Sequence, residues 1–145
     1  SSEMYMHLYL TALQKACCSL EESVANDCDE GFINGLSESQ KKLIIAGVIK
    51  NFKVTYELSW KFIKRWLSQN LGSIQVDGVT RRELFRLAAE HQLIKDVDEW
   101  MFYHAARNQT SHIYDENIAQ EIFSASKQFS HLDTRLLKKL ETNND

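Results

Sequence analysis

The chain has 145 residues with no proline and only 5 glycines, where average usage of about one proline in twenty would place roughly seven. Strands need turns rich in those two residues at short intervals, which argues against an all-β fold. With 43% hydrophobic and 26% charged residues and a net charge of −3, the composition also argues against disorder, collagen or a disulfide scaffold.

The apolar spacing predicts five helical segments. The first runs from about Glu3 to Ala25, with Tyr9/Leu10, Leu13, Cys17, Leu20 and Val24 on one face. A stretch from Asn26 to Gly35 breaks it. Ser37 and Gln40 form a capping-box pattern that opens a long helix reaching about Asn70. Its stripe is Ile45, Ile49, Phe52, Tyr56, Trp60/Ile63 and Trp66/Leu67, and Lys50, Lys53, Lys61, Lys64 and Arg65 lie opposite with Glu57 among them. Gly72 and Gly78 bracket a loop. Thr80 with Glu83 starts a short helix through Leu84, Leu87, Ala88 and Leu93. Asp96 with Glu99 starts one that contains Trp100 and Arg107. Asp115 caps a last amphipathic helix with Ile118, Ile122, Ala125, Phe129, Leu132, Leu136 and Leu140. Capped starts and proline-free joints describe an all-α, antiparallel helical bundle in one domain over residues 1–145.

Charge is segregated along the chain. Residues 1–40 hold one base against seven acids, residues 41–82 nine bases against Glu57 and Asp77, and the remainder eleven acids against seven bases. The basic middle either meets phosphate or an acidic partner, or balances the acidic segments inside the bundle. Cys17, Cys18 and Cys28 are odd in number and lack C-x-x-C spacing, so thiols on a buried helix face are expected rather than a disulfide framework or a zinc site. The longest apolar run, Leu43 to Ile49, is far short of the ~20 residues of a membrane span. With no export signal near the N-terminus, a cytoplasmic location is expected.

The pattern turns polar in the fourth helix. Val97, Trp100, Met101 and His104 share an inward stripe, which continues as Arg107, Asn108, Ser111 and His112 within an arc of about 140°. Histidine moves protons near neutrality, and the guanidinium fork matches phosphate oxygens. With Asn108 and Ser111 adding neutral hydrogen bonds, such a set suits a phosphodiester, the 2′-hydroxyl of RNA supplying the nucleophile. Bland readings stand beside this one. His112 is equally a helix C-cap, Arg107 a partner of Asp96, Asp115 or another acid, His104 a hydrogen-bonded inward residue, and Tyr114 a side chain packed at the turn. No two histidines lie at i, i+3 or i+4, so no metal site is expected, and no cofactor.

The run Arg107-Asn108-Gln109-Thr110-Ser111-His112-Ile113-Tyr114-Asp115 resembles the HEPN superfamily motif, an Arg, a polar residue, a spacer and His, extended here by His-x-Tyr. The run Phe52 to Lys61, with Tyr56, Glu57 and Trp60, and the segment Leu93 to Trp100 resemble one branch of it, the nucleotidyltransferase substrate-binding proteins, over residues 5 to 140. The resemblance implies a four- or five-helix up-and-down bundle that forms a homodimer, pairing two Arg/His motifs in a cleft, beside a minimal nucleotidyltransferase subunit. It implies a metal-independent endoribonuclease of the toxin–antitoxin kind. Arg107 would stabilise the phosphorane, His112 act as general acid/base, and Asn108 orient phosphate or histidine. Tyr114 matches the tyrosine that the companion enzyme adenylylates to silence the nuclease. The alternative the resemblance allows is a non-catalytic subunit that binds a nucleotide or other substrate for its partner.

Overall fold

The computed structural model describes residues 8–27 and 30–144. Among them the chain forms helices and no strand: α1 (Thr11–Asp27), α2 (Glu30–Asn34), α3 (Glu38–Leu71), α4 (Ser73–Val76), α5 (Arg81–Glu90), α6 (Val97–Gln109), a 3-10 turn (Thr110–His112) and α7 (Glu116–Thr142). The predicted all-α bundle is what the chain builds.

Most predicted helix starts are present because caps are local chemistry. The Ser37 hydroxyl accepts from the Gln40 amide while the Gln40 side chain accepts from the Ser37 amide. Thr80 accepts from the Glu83 amide, but the Glu83 carboxylate turns to Arg86 instead of closing the box. Asp96 caps α6, and Asp115 accepts from the amides of Asn117 and Ile118. Removing the last cap, Asp115→Ala, should destabilise the protein by about 1 kcal/mol in urea unfolding, whereas Asn117→Ala, whose exposed side chain makes no cap, should leave the midpoint in place.

Four boundaries differ from the expectation, the simplest being that the short helix read through Leu93 ends at Glu90. The predicted start at Glu3 lies outside the described residues, and residues 8–10 are not helical. They are instead tied to the far end of the chain, with the Leu8 amide donating to Asn144 Oδ1 at 2.7 Å and Asn144 Nδ2 to the Leu8 carbonyl at 2.8 Å. The expected break from Asn26 to Gly35 contains the short helix α2. The loop between Gly72 and Gly78 folds into α4, and both glycines take positive φ (91° and 78°) that a side chain would resist.

The bundle closes around α3, whose 34 residues span about 51 Å. Thr55 donates to the Ala16 carbonyl and Asn51 to Ser23 Oγ, so α1 runs antiparallel to α3. Contacts of Lys42 with Glu116, Phe52 with Phe129, and Trp66 with Asn143 show α3 and α7 running the same way. At the centre Phe129 meets Phe52, Tyr56, Trp100 and Tyr103 ring to ring. The predicted core residues Leu13, Leu20, Ile63, Leu67, Leu136 and Leu140 are buried with them.

Cysteine placement follows the expectation only in part. Cys17 is buried against α7, while Cys18 is exposed beside Glu22 and Cys28 lies outside the described residues. Two successive residues of a helix point about 100° apart, so one buried stripe cannot hold both Cys17 and Cys18. Facing Cys17 is Asp133, fully buried on α7. Its Oδ2 has no hydrogen-bond partner, and burial pushes the carboxyl up to about 7. Among the described residues no helix is long and apolar enough to cross a membrane.

Candidate functional site

Polar side chains converge where α3, α5 and α6 meet. On α3, Tyr56, Glu57 and Trp60 fall within one helical turn. On α6, His104, Arg107 and Asn108 occupy i, i+3 and i+4 and face them. Arg107 Nε donates to Glu57 Oε1 at 2.8 Å, and the indole of Trp60 donates to Glu57 Oε2 at 3.1 Å. Arg107 Nη1 lies 3.4 Å from Thr110 Oγ1, whose own hydroxyl donates to the Arg107 carbonyl at 2.7 Å. Both charges of the Arg107–Glu57 pair are about a quarter to a third exposed, so the pair is partly shielded from water and oriented from two sides. Arg107 is therefore the partner of an acid, though of Glu57 rather than of Asp96 or Asp115.

His104 reaches inward. Its Nδ1 is 2.7 Å from the Tyr56 hydroxyl, and its Nε2 is 3.5 Å from the Asn108 side-chain amide. Burial and the Arg81 guanidinium hold the His104 pKa below that of ordinary imidazole, against the pull of Glu57. Burial pushes the Tyr56 phenol up to about 12. Both groups are uncharged at neutral pH, and the pair is a neutral hydrogen bond set between cations.

The stripe expected through Ser111 and His112 is not continuous. The α-helix ends at Gln109 and tightens into the 3-10 turn, which advances side chains by about 120° per residue instead of 100°. The buried member of that turn is Thr110, while Ser111 and His112 face solvent. Ser111 donates to the Asn108 carbonyl at 3.3 Å. His112 Nδ1 is 3.1 Å from the Tyr114 hydroxyl, and the two rings meet edge to face. The site residues thus form two groups: His104, Arg107 and Asn108 against α3, and His112 with Tyr114 on the exposed turn. Tyr114 is 82% exposed rather than packed. It also borders a largely apolar cavity of about 520 Å³ between α3 and α7, where Lys42 pairs with Glu116 at 3.3 Å.

Two members of the cluster escaped the reading of periodicity. Glu57 sat among lysines on what looked like the solvent face, and Arg81 sat beside a cap. The only signal for Glu57 was its place in the Tyr56-Glu57-x-x-Trp60 run. Arg81 carried none.

The basic segment is paired internally only in part. Lys41 pairs with Glu38, Lys42 with Glu116 and Arg82 with Asp98. Among the described residues Lys50, Lys53, Lys61, Lys64, Arg65 and Arg81 pair with no acid, and of these Lys61, Arg65 and Arg81 lie against aromatic rings.

The model of the nucleotidyltransferase substrate binding protein like family matches residues 8–142. The chain belongs to that family. A Haemophilus influenzae relative named "Probable ribonuclease HepT" is 31% identical over 138 residues, covering 94% of each chain. A solved Haemophilus influenzae structure, reported as revealing the fold of a substrate-binding domain of a nucleotidyltransferase, superposes with a TM-score of 0.88 at 30% identity over 92% of this chain and 99% of that one. A Thermus thermophilus crystal structure superposes with a TM-score of 0.71 at 25% identity over 88% and 98% of the two chains. The family links the helical bundle to a nucleotidyltransferase as its type of partner.

Proposed function

We propose that this family member is the partner subunit of a minimal nucleotidyltransferase and, as a homodimer, a metal-independent endoribonuclease that the partner silences by adenylylating Tyr114. The observation that carries the reading is the 3.1 Å contact between His112 Nδ1 and the Tyr114 hydroxyl on an exposed turn. A proton-transfer group and an acceptor for modification share one hydrogen bond, so a change at one alters the other.

In the cleavage step the RNA 2′-oxygen attacks the adjacent phosphorus. The new P–O2′ bond replaces the P–O5′ bond, leaving a 2′,3′-cyclic phosphate and a 5′-hydroxyl. One imidazole accepts the 2′-hydroxyl proton and another protonates O5′. Each chain supplies one His112, and a homodimer supplies the second. Arg107, whose Nη2 makes no hydrogen bond among the described residues, faces the phosphorane charge while Glu57 and Thr110 hold the guanidinium in place. In the silencing step Tyr114 Oη attacks the α-phosphorus of ATP, pyrophosphate leaves, and the phenolic proton passes to His112 or solvent. The esterified oxygen then has no proton to give His112 and carries an anionic phosphate beside it.

Incubation with the nucleotidyltransferase encoded beside this chain and ATP should add the mass of one AMP, and Tyr114→Phe should abolish the addition. A Tyr114→Phe variant that still gains AMP removes Tyr114 as the acceptor. A second reading, a non-catalytic substrate-binding subunit, draws support from the Arg107–Glu57 pair, since a guanidinium already offset by a carboxylate is also a rigid docking element. Under that reading partner binding weakens in Arg107→Ala while RNA stays intact throughout.

A further inference from the structure

Arg81 lies at the start of α5, outside the Arg/His motif, and its surroundings are unusual for a structural arginine. Its guanidinium carbon sits 3.4 Å from the centroid of the Trp60 ring, so the cation lies on the face of the indole. Stacking occupies the flat face of a guanidinium and leaves the N–H donors around its edge free to point sideways. One of them, Nη1, is buried and has no hydrogen-bond partner. A buried donor left unmade is costly, on the order of 1–3 kcal/mol, and the described residues supply no acceptor that relieves it.

The obvious internal partner is already taken. Glu57 Oε1 accepts from Arg107 and Oε2 from the Trp60 indole, so both oxygens of the nearby carboxylate are engaged. Arg107 offsets Glu57, and Arg81 is left as uncompensated positive charge. Its side chain comes within hydrogen-bonding reach of the Tyr56 hydroxyl and offsets part of the rise that burial imposes there, while at His104 its charge adds to the lowering by burial. Lys61, with its Nζ 5.8 Å from the same indole, and Lys53 and Lys64 along the same stretch of α3 add cations that pair with no acid among the described residues. A planar fork with a free buried donor, set in a positive field, matches the non-bridging oxygens of a phosphate.

We propose that Arg81, held flat on Trp60, is a second phosphate-binding arm of this site, gripping a phosphodiester of single-stranded RNA apart from the one that Arg107 serves. The choice of RNA as the source of the phosphate rests on the ribonuclease reading. The fork itself rests on the Trp60 stack and the unpartnered Nη1.

The test uses a fluorescent single-stranded 2′-O-methyl RNA dodecamer, which keeps every phosphate and cannot be cleaved, titrated with the full chain by anisotropy at several salt concentrations. Arg81→Gln should bind about tenfold more weakly at low salt, with a salt slope shallower by about 0.7, the share of one phosphate contact on a single strand. Arg81→Lys should keep the slope and lose affinity, because an ammonium keeps the charge without the fork. A purely structural role would leave the slope untouched. If Arg81→Gln loses its helical signal, Arg81→Lys carries the test alone, and affinity equal to the native chain overturns the proposal. An Arg81→Gln variant with native affinity and slope overturns it, and so does a native chain that fails to bind the oligomer. Cleavage of unmodified RNA, scored in parallel, decides the ribonuclease reading separately. An Arg81-dependent slope without cleavage keeps the phosphate arm and removes the nuclease.

Discussion

Arg107→Ala should slow RNA cleavage about 10²–10³-fold, the usual loss when one donor to a developing oxyanion is removed. The expectation rests on how tightly the side chain is directed. Glu57 holds Nε at 2.8 Å and Thr110 stands 3.4 Å from Nη1, which leaves Nη2 aimed from a fixed base. Arg107→Lys should recover little, since an ammonium cannot be held by Glu57 and present a second donor in the same plane. Glu57→Gln should act through Arg107 as a positioning change. It should lower kcat by about tenfold with a smaller effect on KM, because the guanidinium is still present but no longer held. Steady-state cleavage of a short RNA with these three variants separates the roles. An Arg107→Ala enzyme within twofold of the native rate would remove Arg107 from the chemistry.

The second large effect concerns stability rather than activity. Asp133 is buried on α7 against Cys17 of α1, and burial, with a small addition from the charge of Glu21, raises its carboxyl from 3.8 to about 7. The folded chain therefore holds a proton that the unfolded chain has released between those two values. The contribution to stability is fully present below pH 3.8, declines as pH rises, and is gone above about 7. At about 1.4 kcal/mol per unit, the ceiling on that decline is about 4 kcal/mol. Asp133→Asn removes the ionisable group while keeping its shape. It should be ~2–3 kcal/mol more stable than the native chain at pH 8 and nearly equal to it at pH 4. Urea unfolding at the two pH values checks this. A difference between the two proteins that does not change with pH would mean that Asp133 is not the titrating group.

Much of the fold was legible because its determinants are local. Ser37, Thr80, Asp96 and Asp115 all cap the helices expected of them, since a cap depends on two or three neighbouring residues. The core stripe of α7 was readable for the same reason. Its exception, Asp133, was visible as a charge spaced four from Phe129 and three from Leu136, where the period calls for an apolar residue. The site was legible in part. The motif lies across the end of α6, but the arc drawn through Ser111 and His112 assumed that α-helical spacing continues. The 3-10 turn at Thr110 ends that register and turns His112 toward Tyr114 instead.

What could not be read is contact across elements. Glu57 and Arg107 are 50 residues apart, and Trp60 and Arg81 meet only because the α4 segment brings α5 back onto α3. Helical period says which face a residue occupies and nothing about which neighbour covers that face. Glu57 therefore looked like one acid on a lysine-rich surface, though it is the residue that organises Arg107 and Trp60 together.

The most direct measurement is RNA cleavage by the purified chain, free of its nucleotidyltransferase, at neutral pH with EDTA present. The native protein should release fragments ending in 2′,3′-cyclic phosphate, and His112→Ala should do so at least about 100-fold more slowly. RNA left intact by the native protein, or cut equally well by His112→Ala, would contradict the account.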